Sequence, residues 1–222
     1  MRLKNIALVL TVTIAATLPA SAAKTAPDTI SARKAFIELP MEVLDMLPRE
    51  TRLDMLDYFD ADSIYVATNN LDGKSKLKTV TPDFLEVQIT EGSTLQVKVL
   101  RCKDGNDVVM TLYTTGEPGG NQDTKVQFLD PKMNLLQAKR YLPEPRPSDY
   151  FEIPKGCSTS MKEIEGMIPF YSFVYEAEAG SPEVRSRLCT DDILTVEDAA
   201  LVELFKRPEI IYIWNGKQFR KK

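Results

Sequence analysis

The chain has 222 residues, a formal net charge of −4, and 43% hydrophobic against 27% charged residues. That is ordinary for a globular protein of one sizeable domain or two small ones on a shared core, and excludes wholesale disorder. It contains no histidine, which removes Ser-His-Asp and Cys-His hydrolases, His-ligated zinc sites and histidine phosphotransfer; the acidic balance offers no basic face for a phosphate backbone, so no nucleic acid partner is expected.

The first residues carry an export pattern. Arg2 and Lys4 precede an apolar run from Ile6 to Leu18, and Ala20-Ser21-Ala22 supplies a small-x-small cleavage site. This predicts a signal peptide over residues 1–22, cleaved after Ala22, and a mature protein in the periplasm or outside the cell. The run is shorter than the roughly 20 residues a membrane span needs, and no later stretch is apolar enough, so no membrane span is expected. Three cysteines, Cys102, Cys157 and Cys189, leave one unpaired in an oxidising compartment. Cys157 with Cys189 is the candidate disulfide. The alternative is three small buried apolar side chains.

Residues 23–35 mix Pro, Thr, Ser and Lys without periodicity, which predicts a flexible lead-in. A helix pair follows, the first opening at Pro40 and the second after Pro48. In the second, Leu53, Met55, Leu56 and Phe59 form the buried stripe, with Arg49, Arg52, Asp54 and Asp57 on the other face. Ser63–Thr68 and Lys76–Thr81 are strand-like. The stretch Pro82–Tyr113 then alternates apolar and polar residues over three strands, carried by Leu85, Val87 and Ile89, by Leu95, Val97 and Val99, and by Val108, Met110 and Leu112. Gly-containing joins of hairpin length connect them. One face of this antiparallel meander is expected on the core under the helix pair and the other nearer water. A loop over Thr114–Asp123 leads to a hairpin of Lys125–Leu129 and Leu135–Tyr141, with Pro131 at the second position of its turn. This gives a first unit over residues 36–141 and a Pro-rich connection over 142–157.

The smaller α+β unit spans residues 158–222. A helix is expected over Ser158–Ile168 and strands over Phe170–Ala177 and Val184–Thr190. Thr195 caps a helix to Arg207 with Leu201, Leu204 and Phe205 as its buried stripe. Glu209–Trp214 and Lys217–Arg220 close the chain as a hairpin about the two-residue turn Asn215-Gly216.

The blocks Phe36-Ile-Glu-Leu-Pro40, Leu47-Pro48 and Arg52-Leu53-Asp54-Met55-Leu56-Asp57-Tyr58-Phe59-Asp60 resemble the start of a family of small secreted Bacteroidales proteins of unknown function. Asp72-Gly73-Lys74-Ser75, Thr81-Pro82-Asp83-Phe84-Leu85, the hairpin at Asp130-Pro131 and Ile213-Trp214-Asn215-Gly216-Lys217-Gln218-Phe219 continue the resemblance over nearly the whole mature chain. It implies an α+β fold with antiparallel sheet, in two helix-plus-sheet units similar to the β-lactamase-inhibitor-protein arrangement. It brings no activity, cofactor or catalytic residue.

Tyr141, Tyr150, Phe151, Tyr171 and Tyr175, with Phe170 and Phe173, crowd the unit boundary. Aromatics there form a binding groove or cement two units together. Paired acids could serve a histidine-free glycan hydrolase, and Asp191-Asp192 and Glu197-Asp198 are the densest set, although Asp198 also suits the cap of its helix. Asp57, Asp60 and Asp62 lack the glycine and glutamate of a calcium loop, and Gly116–Gly120 lacks the ending of a phosphate loop. Neither metal nor cofactor is expected. The sequence thus points to an exported non-catalytic binding or envelope-interaction module, with another protein or an envelope glycan as partner. A carboxylate hydrolase and a structural envelope component stay open beside it.

Overall fold

A computed structural model describes residues 28–222 except 64, 191 and 192; the expected signal peptide and the Asp191-Asp192 pair lie outside the described residues. The order is α1 (Ala32–Glu38), α2 (Arg49–Asp60), β1 (Ala67–Thr68), β2 (Lys74–Val80), β3 (Phe84–Thr90), β4 (Ser93–Arg101), β5 (Asp107–Thr115), β6 (Asp123–Leu129) and β7 (Leu135–Leu136). It continues with α3 (Met161–Met167), β8 (Ser172–Ala177), β9 (Glu183–Cys189), α4 (Val196–Phe205), β10 (Ile210–Trp214) and β11 (Phe219–Lys221). Among the described residues, β1 to β7 form an antiparallel sheet in chain order, and the second sheet runs β11-β10-β9-β8. The fold is α+β, as the sequence predicts.

The register between strands decides how the layers stack. Val99 pairs with Val109, Val97 with Thr111 and Leu95 with Tyr113. The apolar sides of β3 and β4 therefore share a face with Val109, and with Ile30, Phe36, Leu44, Leu47, Met55 and Leu56 they make one core. Met110 lies opposite Lys98 and Phe128, and Leu112 opposite Gln96 and Val126. Val108, Met110 and Leu112 thus point the other way, into a second core with Tyr150, Phe151, Tyr175, Val184, Val202 and Phe219. The face expected nearer water is covered by the second unit. The apolar side of β5 belongs to the opposite face from those of β3 and β4, and a sheet apolar on both faces needs a layer on each.

The start of the chain departs from expectation. The first helix begins before Pro40: Ser31 Oγ accepts from Lys34 N at 3.2 Å as its N-cap, while residues 41–43 form only a turn. The described part of the expected lead-in is fastened down. Ile30 N donates to Asp107 Oδ2 at 2.7 Å and Asp107 N to the Asp28 carbonyl at 3.0 Å, and Ala32 and Ala35 are fully buried. Arg52, expected on the exposed face, is buried. Its Nη1 donates to the Phe36 and Leu39 carbonyls at 2.8 and 2.9 Å, satisfying acceptors that the end of α1 leaves open. Burial lowers its pKa from the ordinary arginine value. Phe59 and, on α4, Leu204 are exposed instead of joining a buried stripe.

Other boundaries shift by local chemistry. The strand expected from Ser63 contains only Ala67 and Thr68, and β7 stops after two residues before a 3-10 turn at Ala138–Arg140. The closing hairpin has a four-residue loop, because Trp214 pairs with Phe219. Asn215 Oδ1 accepts from both Lys217 N and Gln218 N at 3.0 Å and widens it. Residues 142–157 do not form an exposed linker throughout, since Leu142, Tyr150 and Phe151 are buried in the second core. Thr195 caps α4 as expected, accepting from Asp198 N at 3.1 Å.

Candidate functional site

Strand β8 is an edge strand of the second sheet and stands against the second face of the first. Its outward backbone N–H groups meet side chains there. Phe173 N donates to Asp123 Oδ1 at 3.0 Å, Tyr175 N to Thr124 Oγ1 at 3.1 Å and Ala177 N to Gln96 Oε1 at 2.9 Å. Lys98, almost fully buried, reaches Asp83 Oδ2 at 2.7 Å and the Glu178 carbonyl at 2.8 Å, and Gly180 N donates to the same Asp83 oxygen. Burial opposes ionisation of Asp83, but Lys98, the Thr81 hydroxyl and Gly180 N–H outweigh it and hold its carboxyl below the usual range. Polar residues of the meander and of β6 are thus the anchors of the second unit. They satisfy an exposed strand edge that would otherwise invite pairing with another chain.

The aromatic surface expected at the boundary is mostly interior. Tyr150, Phe151 and Tyr175 are buried and hold the two units together, which corrects their reading as an exposed binding surface. The Tyr150 hydroxyl bonds Ser186 Oγ. Desolvation pushes the Tyr150 and Tyr212 phenols up, and burial together with Tyr212 pushes Tyr175 up to about 12. These phenols stay protonated near neutral pH and offer no base. Tyr171 is half-buried beside Phe173, with ring centroids 6.5 Å apart. Tyr141 stacks on Phe128 at 5.1 Å and on Trp214 at 6.3 Å.

The disulfide is not formed. Cys157 is a free exposed thiol, whereas Cys189 is buried in β9, where its sulfur accepts from Gln122 N and donates to the Gly120 carbonyl. That loop turns at Gly116, φ +109°, where an added Cβ would lie 2.3 Å from the Asn121 carbonyl; only glycine fits. Burial pushes the Cys102 thiol up, and Asp198 serves the cap of α4.

Two clefts open at the junction. The smaller, about 270 Å³, is walled by Val126, Leu142, Pro143, Pro145, Phe173 and Tyr175. The larger, about 630 Å³, has Lys103, Asp104, Asp130, Arg140, Tyr141 and Lys217 among its walls. Five segments build it: the start of the described chain, the β4–β5 loop, the β6–β7 turn, the 3-10 turn and the β10–β11 turn. Three bonds between the units fix its back wall. Lys103 N donates to the Gly216 carbonyl at 2.9 Å, Phe219 N to the Tyr141 carbonyl at 2.7 Å, and Trp214 Nε1 to the Arg101 carbonyl at 2.8 Å. Gly216, at φ +86°, lies over the Lys103 stem, where a Cβ would approach Cγ to 2.6 Å. No group of acids or cysteines suited to a metal ion occurs among the described residues.

A family model described as protein of unknown function (DUF3256) matches residues 27–219. The chain belongs to that family. The fold is also similar to a solved domain of an uncharacterized protein from Porphyromonas gingivalis W83, at 19% identity and a TM-score of 0.72, covering 89% of this chain and 99% of that one. No curated protein matches. Membership in DUF3256 agrees with the resemblance read from the sequence and assigns no role to any residue, so the site rests on geometry. Of the sequence-predicted surface, Tyr141 lines the larger cleft and Tyr175 the smaller, while Tyr150, Phe151 and Tyr171 line neither. Lys103, Arg140 and Lys217 were missed, because isolated cations in three separate turns leave no local pattern.

Proposed function

We propose that the chain is an exported, non-catalytic binding module that takes an envelope saccharide in the larger junction cleft. Export rests on the charged, apolar and small-residue order of residues 1–22. The observation that carries the binding reading is the cleft itself. At about 630 Å³ it lies within the roughly 300–1,000 Å³ of small-ligand sites, and it is a recess that mixes apolar walls with charged side chains rather than the broad flat face of a protein interface. It is built from both units and tied across them by backbone bonds, so its shape is set before a ligand arrives. Two of its four carboxylates are already engaged within the fold, which favours binding over turnover. Asp107 is bonded by Ile30 N and Arg101, and Asp130 accepts from Lys132 N, Asn134 N and Asn134 Nδ2 in its own turn.

Affinity electrophoresis of the mature chain through gels containing neutral and acidic polysaccharides tests this. The chain is expected to be retarded by at least one, and Lys217→Trp, which fills the cleft from an exposed position, is expected to remove the retardation without lowering the melting temperature. Retardation by none would end the binding reading. Release of new reducing ends from a retarding polysaccharide would end the non-catalytic one.

A further inference from the structure

Charge in the larger cleft is unevenly satisfied. Among its acids, Asp107 pairs with Arg101 and Asp130 is held by three N–H donors within its turn. Burial resists ionisation of Asp130, but the Asn134 side chain and backbone, Lys132 N and the Lys132 charge overcome it and keep the carboxyl below its ordinary range. Asp104 accepts one bond, from Asn106 N. Lys103, Arg140 and Lys217 also line the cleft, and none has an ion-pair partner among the described residues. Several cations of the second unit do: Arg185 pairs with Glu178, Lys206 with Glu203, and Lys222 with Glu183. The three cations share the cleft with four carboxylates, of which Asp107 is paired with Arg101 and Asp130 has its oxygens taken up within its own turn, so that Asp28 and Asp104 are the acids left open to a ligand. The Tyr141 hydroxyl, on the same wall, makes no hydrogen bond with another described residue.

We infer that the larger cleft recognises an anionic saccharide, its charged group held by Lys103, Arg140 and Lys217 and its hydroxyls by Asp28, Asp104 and the Tyr141 phenol. This rests on the binding-module reading and adds the class of ligand. A guanidinium fork grips a carboxylate or phosphate through two parallel hydrogen bonds, with the ammonium groups as flanking point charges. The remaining carboxylates accept from ring hydroxyls, the complement of a molecule carrying one anion among many hydroxyl groups. Neither purely acidic nor purely neutral walls would select such a ligand.

Calorimetric titration of the mature chain with trigalacturonate, maltotriose 1-phosphate and neutral maltotriose tests the inference. Binding of at least one anionic trisaccharide is expected, weakening between 0.05 and 0.3 M salt, and the two anionic probes tell carboxylate from phosphate. The double variant Arg140→Gln/Lys217→Gln is expected to lose about ten-fold or more in affinity for that sugar with an unchanged melting temperature, because neither side chain is bonded to another described residue. Neutral maltotriose bound as tightly as the anionic sugars, or an unaltered affinity in the double variant, overturns the anionic preference and leaves the binding module standing. Binding of none of the three sugars also overturns it; gel retardation by a polysaccharide in that case preserves the module, and its absence removes both.

Discussion

The two faces of the seven-stranded sheet are covered by different means. On one, α1 and α2 close a largely apolar core whose buried polar groups, Arg52, Asn69, Ser75 and Thr111 among them, are scattered. On the other, the second unit adds aromatic packing to a row of polar contacts from Asp83, Gln96, Lys98, Asp123 and Thr124 to β8 and its following turn. Apolar packing is non-directional and tolerates some sliding. A strand edge seated on side-chain acceptors is fixed in register. The helical face therefore serves mainly stability, while the polar face also sets where the two units meet, and hence the shape of the clefts between them.

The largest effect should come from emptying either core. Phe36→Ala on the helical face and Phe128→Ala on the other each remove a fully buried ring and should cost about 3–5 kcal/mol in urea unfolding. Trp214, the single tryptophan, reports from the junction, while far-ultraviolet dichroism reports the whole chain. The two transitions are expected to coincide in both variants. A split would break the comparison, making the faces separate folding units.

Lys98→Met should come next, at about 1–3 kcal/mol at pH 7, because it leaves Asp83 and the Glu178 carbonyl without their donor. The pH dependence has a definite sign. Since the folded Asp83 carboxyl lies below its ordinary value, its contribution is present above the ordinary carboxylate range and fades as pH falls through the folded value. The gap between wild type and Lys98→Met is thus expected to narrow from pH 7 toward about pH 3. An unchanging gap would show that charge at Asp83 does not anchor the second unit. Smaller still, Thr195→Ala should cost about 1 kcal/mol through the lost cap of α4, measurable as a lower urea midpoint at unchanged slope. Cys157→Ser, at an exposed free thiol, should shift stability by less than about 0.5 kcal/mol.

Much of the fold was legible where local pattern and tertiary role agree. The meander of β3, β4 and β5, the hairpin at Asp130, the cap at Thr195 and the antiparallel second unit follow from alternation and turn chemistry. Arg52 was misplaced, and Lys98 lies buried on the meander face expected nearer water, for one reason: a long cationic side chain reads as solvent-facing until buried acceptors are known. Of the aromatic residues at the boundary, Tyr141 alone lines the larger cleft, so they marked the right region while most of them have an interior role. Tyr150 and Tyr175 fill its interior, and the open cleft is lined instead by turn residues with no shared local signature.

By itself the sequence determined the strand alternation, the cap at Thr195, the absence of histidine chemistry and the family to which the chain belongs, because each is written in residue type at short spacing. Only the tertiary structure decided that the apolar side of β5 opposes those of β3 and β4, that a second unit covers that face, and that Lys103, Arg140 and Lys217 meet across 114 residues of chain. The physical reason is register. It is set by pairing between distant strands and by buried polar bonds between layers, and neither is a property of any one stretch of the chain.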